Sequence, residues 1–468
     1  MEEQPDIRKN TQRVIVLQFV GGAVMAAVFH SLYDSAKAAS FGILLGMSLV
    51  WLVYVLFLFF QKPRPNNFLS QVLLLIPYLG LTIFVGEEFR FDSILKSPVE
   101  LSSFPTIRTH ELKKSGASVK IMQDWMDSQI RSDAYPSLQI AMADTSGVFF
   151  AYTAGDPKHK DQKRSALYPV ASVSKFFTNF LMIRLAEEGL LQPSDRLEKY
   201  LPPNTPITTN PEVGSRITLQ MLATNTSGLV RGTGGAMRES DATYDGLQIE
   251  KLYQQLGAKA PKFVPGTDRS YSNLGFGILG VALENVSGSS YRDLLHSRIT
   301  KPFALQDTDV LDYTNPDQLQ RLALPHLAGS GTQSIDRASL KKRLVGSGGI
   351  VSTASDLARL GSMLLTAERM RVPEENYKMY LSRVHYRKED GSIGKASRYS
   401  LVGRSLKIEN AGRCFRKNGG RDGVNAYVII CPQIGISAAI ITNRYVRDYQ
   451  GSPDQIGDLI METLADQR

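Results

Sequence analysis

The chain has 468 residues, 43% of them hydrophobic, so it is long enough for one large folded domain or two modest ones. Its formal net charge of +9 indicates affinity for anionic surfaces such as lipid headgroups or acidic wall polymers, and solvated surface charge explains it equally well. The sequence has no Cys/His cluster with zinc spacing, no phosphate-binding loop and no aromatic-basic stripe. It therefore predicts no metal, no cofactor and no nucleic-acid partner.

Three hydrophobic runs come first, at about 14–33, 41–60 and 68–85. Each is close to the roughly 20 residues that a helix needs to cross a hydrocarbon core. A cleaved signal peptide explains one such run but not three. The runs predict a membrane anchor of three transmembrane helices over 1–86, with buried helices of a soluble domain as the alternative.

The basic residues around these runs indicate an orientation. Three precede the first run and two lie between the second and third, whereas Lys37 alone lies between the first and second. Cytoplasmic flanks are enriched in Lys and Arg. The chain is therefore predicted to be a multi-pass membrane protein, with everything after the third run on the extracytoplasmic side.

The stretch 87–114 mixes charge, Ser and Pro without periodicity, which is typical of a linker. The remainder, 115–468, has the pattern of a folded domain. Helical periodicity predicts helices near its two ends, over 119–130 and 454–464. Alternating apolar residues predict strands near both ends as well. These strands are 138–143, 148–153, 405–409, 413–417, 425–431 and 436–442.

A buried helix is predicted to begin at Ser172 and to stop at Gly189, a good helix terminator. The region of about 178–345 alternates helical segments with Pro/Gly-rich loops. The predicted fold class is an α/β domain, an antiparallel sheet flanked by helices plus a mostly helical subdomain, behind the three transmembrane helices. The only cysteines, Cys414 and Cys431, flank a predicted hairpin, where both a disulfide and free thiols are open alternatives.

Ser172 and Lys175 stand three residues apart at the entrance of the buried helix, so their side chains share one face. A Ser hydroxyl needs a nearby base to attack a carbonyl, and a neutral Lys can serve. The spacing alone is a weak signal, because Ser-x-x-Lys occurs by chance in many helices and then fits a capping Ser and a surface Lys better. Two later groups favour catalysis: Tyr271-x-Asn273, and Lys417-Asn418-Gly419-Gly420 at the end of a strand.

Three groups of residues resemble the three motifs of serine β-lactamases and penicillin-binding proteins. They are Ser172-x-x-Lys175, Tyr271-x-Asn273 and Lys417-Asn418-Gly419. The Tyr-x-Asn form is most similar to class C β-lactamases, D,D-peptidases and related esterases. Intervening segments such as Thr226-Ser227-Gly228-Leu229 and Gly348-Gly349-Ile350 also resemble landmarks of that family. The resemblance spans about 137–442.

The resemblance implies catalytic roles for Ser172, Lys175 and Tyr271. Ser172 would attack a carbonyl to form an acyl-enzyme, which splits one difficult displacement into two easier ones. Lys175 and Tyr271 would share the proton transfers, and either of them can be the base.

The resemblance also implies a substrate-binding set. Asn273 would orient Lys175 and bind a substrate amide, and Lys417 would bind a substrate carboxylate. The oxyanion hole would use the backbone N–H groups of Ser172 and Gly420. The full predicted substrate-binding set is Asn273, Lys417, Asn418, Gly419 and Gly420.

Two positions depart from the family pattern. Asn418 stands where Thr or Ser is usual, which removes a hydroxyl that in the family contacts substrate. Asn225 stands where many relatives have His before Thr-Ser-Gly. The first departure weakens the expectation of efficient β-lactam or peptide recognition, but it leaves the nucleophile and the base in place.

The sequence thus predicts a membrane-anchored, extracytoplasmic serine hydrolase that acts through an acyl-enzyme. Its expected substrate is a small molecule, a peptide or a cell-wall-type polymer: a D-amino-acid peptide, a β-lactam or an ester. The alternative is a weakly catalytic or non-catalytic penicillin-binding sensor of the same fold.

Overall fold

The computed structural model describes most of the chain beyond residue 103, and all of the described residues belong to one compact unit. The predicted transmembrane runs, at 14–33, 41–60 and 68–85, lie outside this part. Within it, no helix is both long and apolar enough to span a bilayer. The described ranges are 104–131, 135–155, 166–207, 211–231, 252–254, 256–312, 314–326, 344–388, 390, 392–421, 423–444 and 452–466.

The strands cluster near the two ends of the described chain, as the alternating pattern predicts. They are β1 (Ser137–Asp144), β2 (Gly147–Gly155), β3 (Tyr168–Pro169), β4 (Asp309–Val310), β5 (Ile350–Ser352), β6 (His385–Arg387), β7 (Ile393–Ala396), β8 (Tyr399–Ser400), β9 (Gly403–Ile408), β10 (Gly412–Arg421), β11 (Val424–Cys431) and β12 (Ile436–Thr442).

The α-helices lie mainly between those two groups of strands. They are α1 (Thr109–Lys113), α2 (Ala117–Arg131), α3 (Ser174–Glu187), α4 (Pro211–Gly214), α5 (Leu219–Ala223), α6 (Asn273–Ser287), α7 (Tyr291–Leu295), α8 (Pro316–Arg321), α9 (Val345–Gly348), α10 (Ala354–Ser362), α11 (Ala367–Met370), α12 (Glu374–Leu381) and α13 (Pro453–Ala465).

A seven-stranded antiparallel sheet forms the centre of the fold, in the order β2-β1-β12-β11-β10-β9-β8. The first strand of the sheet in sequence, β1, pairs with the last, β12, from Leu138↔Thr442 to Ala143↔Ser437. The strands predicted near both ends of the domain therefore join in one sheet.

Period-2 alternation gives each face of this sheet its own core. On β1, Leu138 and Ile140 pack in the cluster that contains α2 and α13 residues, whereas Ala141 and Ala143 pack in the cluster that contains α3, α6 and α10 residues. Helices therefore cover both faces. Because the second cluster also holds α3, the start of that helix lies against the sheet.

The described chain between β3 and β5 is mostly helical, with β4 as its short strand, in agreement with the predicted subdomain. Within it, α6 packs against both α3 and α9. Gly280 of α6 and Gly346 of α9 permit this close approach, since a Cβ on Gly346 would lie 2.5 Å from the carbonyl oxygen of Phe276. The three helices together form the wall behind the nucleophile.

Two boundaries differ from the sequence prediction. Residues 104–114 belong to the predicted linker, yet Ile107 and Leu112 are buried in the same core as α2. Their isolated apolar side chains are too few to give a periodic signal. In addition, β10 continues to Arg421, four residues beyond the predicted strand, so the Lys417-Asn418-Gly419-Gly420 segment forms the last part of the strand and does not follow it.

Cys414 and Cys431 form a disulfide between β10 and β11. The neighbouring pair Phe415↔Ile430 places the two cysteines directly opposite each other, with their Cα atoms 4.2 Å apart. Of the two alternatives that the sequence leaves open, the structure has the cross-strand bridge.

Candidate active site

Ser172 lies in a 3-10 turn, Ala171–Val173, immediately before α3. The sequence prediction placed it on the α-helix itself, which is wrong by two residues. The reason is local, because Ala171 has a φ of 47°, in the left-handed region that L-residues rarely adopt. Ala171 and Val173 are buried in the core, while Ser172 between them is partly exposed.

Lys175 occupies the first turn of α3 and is almost completely buried, with 1% of its surface exposed. Its Nζ donates to Ser172 Oγ at 3.1 Å and to Asn273 Oδ1 at 2.8 Å. It also donates to the backbone carbonyl of Ser347, on α9, at 2.5 Å. Three acceptors match the three N–H groups of an ammonium, so this geometry fits a protonated Lys175.

Tyr271 reaches the nucleophile from a loop nearly a hundred residues further along the chain. Its hydroxyl lies 2.5 Å from Ser172 Oγ. Two cations flank its ring, with Lys175 Nζ 4.9 Å and Arg231 Cζ 5.7 Å from the ring centroid. A hydroxyl and a phenol are therefore in direct contact beside two positive charges.

Asn225 fixes the loop that carries Tyr271. Its side-chain Oδ1 accepts from the backbone N–H of Ser272 at 3.0 Å, and its backbone carbonyl accepts from the N–H of Ser270 at 3.0 Å. Asn225 has a φ of 59°, a conformation that Asn tolerates better than most residues do. The residue that departs from the family pattern thus holds both neighbours of Tyr271.

The same loop is anchored at the start of α6. Ser272 caps this helix by accepting from the N–H of Gly275 at 2.8 Å, and it donates to the carbonyl of Val230 at 2.6 Å. The N–H of Asn273 donates to the carbonyl of Arg231 at 2.7 Å. The residues that follow the Thr-Ser-Gly-Leu landmark therefore position the Tyr-x-Asn motif.

The strand β10 passes beside the nucleophile with one open edge. On one side it pairs with β11 as far as Arg421, but on the other side β9 stops pairing at Arg416. A Cβ on Gly419 would lie 2.2 Å from the carbonyl oxygen of Val170 and 2.9 Å from the nitrogen of Ser172. Only glycine lets the strand lie this close to the nucleophile turn.

Lys417 is a partly buried cation of this strand, and its Nζ donates to the carbonyl of Asn418 at 2.6 Å. Burial lowers the pKa of Lys417 to about 8; the Asp454 carboxylate opposes this change and the Arg269 guanidinium adds to it. Burial also raises the pKa of Asp454 to about 6, against the opposing effect of Arg416.

A cavity of about 120 Å³ connects these groups, and its wall includes Lys175, Tyr271, Lys417 and Asn418. Of the remaining predicted residues, Gly419 packs under the nucleophile turn, and Gly420 lies one position further along β10, exposed and paired with Asn425. The structure thus brings the predicted catalytic residues together, with Asn273 beside Lys175 at the start of α6 and the other four residues of the substrate-binding set along β10.

Sequence reasoning missed three charged residues of the cavity, which are Arg269, Arg404 and Asp454. The Arg269 guanidinium stacks on Tyr399, with Cζ 3.9 Å from the ring centroid, and its Nε is buried without a hydrogen-bond partner among the described residues. Arg269 lies two residues before Tyr271, which is the signal that could have drawn attention to it. Asp454, in the first turn of α13, carries no motif signal.

A serine held between an amine and a phenol that both line a cation-rich cavity defines an enzyme that transfers acyl groups through the serine. The chain belongs to the Beta-lactamase family, whose model matches residues 122–459. It is therefore a serine hydrolase of the β-lactamase and penicillin-binding-protein type.

Individual relatives agree with this assignment. The chain is 31% identical over 303 residues to the D-alanyl-D-alanine-carboxypeptidase/endopeptidase AmpH of Escherichia coli, covering 63% of this chain and 75% of that protein. A beta-lactamase/D-alanine carboxypeptidase structure from Yersinia pestis has a TM-score of 0.56 at 22% identity, covering 74% of this chain and 99% of the other. A class C beta-lactamase structure from Rhodobacter sphaeroides has a TM-score of 0.53 at 20% identity, covering 72% and 97%. These two structures show a shared fold.

Proposed function

We propose that the protein is a membrane-anchored, extracytoplasmic peptidase that removes a carboxyl-terminal residue from a D-amino-acid peptide. One observation carries the proposal: Ser172 Oγ lies within hydrogen-bond distance of both Tyr271 Oη, at 2.5 Å, and Lys175 Nζ, at 3.1 Å. A hydroxyl with two proton-transfer partners has the contacts that an attacking nucleophile needs.

The hydrogen bonds support Tyr271 as the group that accepts the Ser172 proton. Lys175, as an ammonium, donates to Ser172 Oγ, and the two cations beside the Tyr271 ring favour its phenolate, so we assign the serine's own proton to the hydrogen bond with Tyr271. Attack forms the bond between Oγ and the substrate carbonyl carbon while the Ser172 proton moves to the Tyr271 phenolate, which becomes a neutral phenol. Tyr271 then protonates the leaving amine as the C–N bond breaks, and a water molecule hydrolyses the acyl-enzyme.

A substrate carboxylate is the group best suited to the other end of the cavity. Lys417 and Arg269 both line it, and the buried Nε of Arg269 is a donor without an acceptor among the described residues. Arginine binds carboxylates with good geometry and keeps its charge at any working pH. The name of the Escherichia coli relative, a D-alanyl-D-alanine carboxypeptidase/endopeptidase, supports a peptide with a free carboxyl terminus.

The proposed location rests on two observations. The three hydrophobic runs before residue 86 have the length of transmembrane helices. The Cys414–Cys431 disulfide supports an oxidising compartment for the catalytic domain. A reporter fused to the carboxyl terminus, active only outside the cytoplasm, tests the orientation; activity of a cytoplasm-dependent reporter at that position would contradict it.

Covalent labelling tests the chemistry. A fluorescent penicillin and a fluorophosphonate should both label the wild-type protein and should both fail with Ser172→Ala. Release of a D-amino acid from a peptide ending in two D-residues should then continue over many turnovers. Labelling by the fluorophosphonate alone would favour an esterase, and one burst without turnover would favour the sensor; either result contradicts the proposed peptidase.

A further inference from the structure

A second cavity lies along β9, at the edge of the central sheet, and has a volume of about 610 Å³. This is within the size range of ordinary ligand sites. No Asp or Glu is found among the described residues of its wall. We call it the basic groove, after its five cationic residues: Arg383, Arg398, Arg404, Lys407 and Arg413.

The charges of the basic groove are not balanced by neighbouring acids. None of its five cationic side chains forms an ion pair with a carboxylate in the part of the chain that the structure describes. By contrast, Arg416 on the adjacent strand pairs with Asp458 at 3.1 Å. Like charges held together without counter-charges repel one another and raise the local positive potential. Such a groove attracts an anionic ligand.

The basic groove and the catalytic cavity are neighbours, because Arg404 lines both of them. Arg404 pairs across the sheet with Arg416, the residue immediately before Lys417. It therefore stands where β9 ends its pairing with β10 and where the open edge of β10 begins. A polymer that extends from the catalytic cavity past Arg404 would therefore approach the basic groove.

The wall of the groove favours a hydrophilic anion over a lipid surface. Surfaces that dock on membranes combine cations with exposed apolar side chains. The large exposed hydrophobic residues of the described chain do not line the groove; they are Ile121, Leu190, Val264, Met379 and Ile393.

We infer that the basic groove is an extended subsite that binds a carboxylate-bearing part of a polymeric substrate, several units away from the bond that Ser172 attacks. This inference rests on the proposed function and adds to it a preference for acidic polymers. A small neutral substrate fills only the catalytic cavity and does not reach the groove.

A binding measurement tests the subsite without catalysis. Fluorescent poly-glutamate is titrated into the Ser172→Ala protein and into the same protein with Arg383→Gln, Lys407→Gln and Arg413→Gln, none of which lines the catalytic cavity. The expected result is about a 10-fold loss of affinity, from three exposed charge contacts. Binding should also weaken at high salt.

The matched control removes three charges elsewhere, with Lys114→Gln, Lys259→Gln and Lys301→Gln, exposed residues that line neither cavity. It should bind poly-glutamate like the parent. Equal losses in both variants, or no binding of poly-glutamate by the parent, would overturn the inference. So would binding of vesicles with anionic lipids in place of poly-glutamate. Should the triple variant fold poorly, Lys407→Gln alone should still give about a twofold loss.

Turnover of a neutral ester separates this inference from the proposed function. The groove variant, with Ser172 restored, should hydrolyse the ester with unchanged kcat/KM but lose about 10-fold on an acidic oligomer. Equal losses on both substrates would sink the subsite alone. Absence of Ser172-dependent turnover on any substrate would contradict the proposed function. The poly-glutamate binding measurement would still show whether the basic groove binds an acidic polymer.

Discussion

The two sides of the catalytic cavity are built differently. On the helical side, Lys175 is buried and fixed by three hydrogen bonds, and the loop of Tyr271 is held by Asn225 on both flanks. On the sheet side, Lys417 lies on the open edge of β10, partly buried, with hydrogen bonding to the carbonyl of the next residue. One side is rigid and the other is open.

This difference separates chemistry from recognition. Catalytic groups must keep sub-ångström geometry, which a packed wall supplies. Recognition groups on an open edge can change without disturbing that geometry, so a departure such as Asn418 is tolerated there. Changes on the helical side should therefore affect every substrate, whereas changes on the sheet side should affect only substrates that carry a carboxylate.

The largest effect is expected for Lys175→Met. It removes the amine that bonds Ser172 and leaves the oxygens of Asn273 and Ser347 without that donor, so kcat should fall at least about 10³-fold for esters and peptides alike. Steady-state kinetics with a neutral ester and a peptide measure this. Lys417→Met is the matched control: ester hydrolysis within about threefold of wild type is expected there, and an equal loss would refute the division between the two sides.

Gly419→Ala should break the contact between β10, on the sheet side, and the nucleophile turn, on the helical side. The added Cβ would lie 2.2 Å from a carbonyl oxygen of the nucleophile turn, so β10 has to move away from Ser172. Displacement of an oxyanion donor on this strand costs about 10²- to 10³-fold in acylation. The rate of labelling by a fluorescent penicillin measures it. Asn418→Ala, at the exposed neighbouring position, should change the same rate by less than about threefold; comparable losses in both variants would contradict this role for Gly419.

Asn225→Ala should loosen the loop of Tyr271. It removes the bond to the N–H of Ser272 and places Ala in a left-handed conformation, so kcat should fall about 10- to 100-fold for all substrates. Asn225→Gly separates the two causes, because glycine accepts a φ of 59° but has no side-chain acceptor. Full activity in the glycine variant would show that the side-chain bond does not position Tyr271.

Patterns in the sequence predicted the central sheet and the terminal helices from local periodicity, and the three motifs were recognised from their residue types and spacing. They could not predict the groups that reach the site from distant parts of the chain without a motif. The carbonyl that fixes Lys175 belongs to Ser347, 172 residues away, and a backbone acceptor has no residue-type signature. Arg269 and Asp454 likewise reach the cavity only through the tertiary fold. The left-handed conformation of Ala171 likewise has no signal in the residue type, since alanine disfavours it.

The smallest expected effect is a pH dependence confined to the sheet side. Lys417, whose pKa burial lowers to about 8, is charged below that pH and neutral above it. The KM for a carboxylate substrate should therefore rise about 3- to 10-fold as pH increases through 8, with Arg269 limiting the loss because it stays charged. Asp454, with a pKa of about 6, becomes negatively charged as pH increases through 6. The KM for a carboxylate substrate should therefore also rise over that lower pH range.

Two variants decide whether these groups cause the pH dependence. Lys417→Met should abolish the step near pH 8 and move the step near pH 6 to higher pH, because the Lys417 charge lowers the pKa of Asp454. Asp454→Asn should abolish the lower step and also shift the upper one to lower pH, because the carboxylate opposes the depression of the Lys417 pKa. For a neutral ester, KM should show neither step in any of these proteins. A step near pH 8 that persists in Lys417→Met would assign the titration to another group, and the sheet side would then not be the carboxylate-reading side of the cavity.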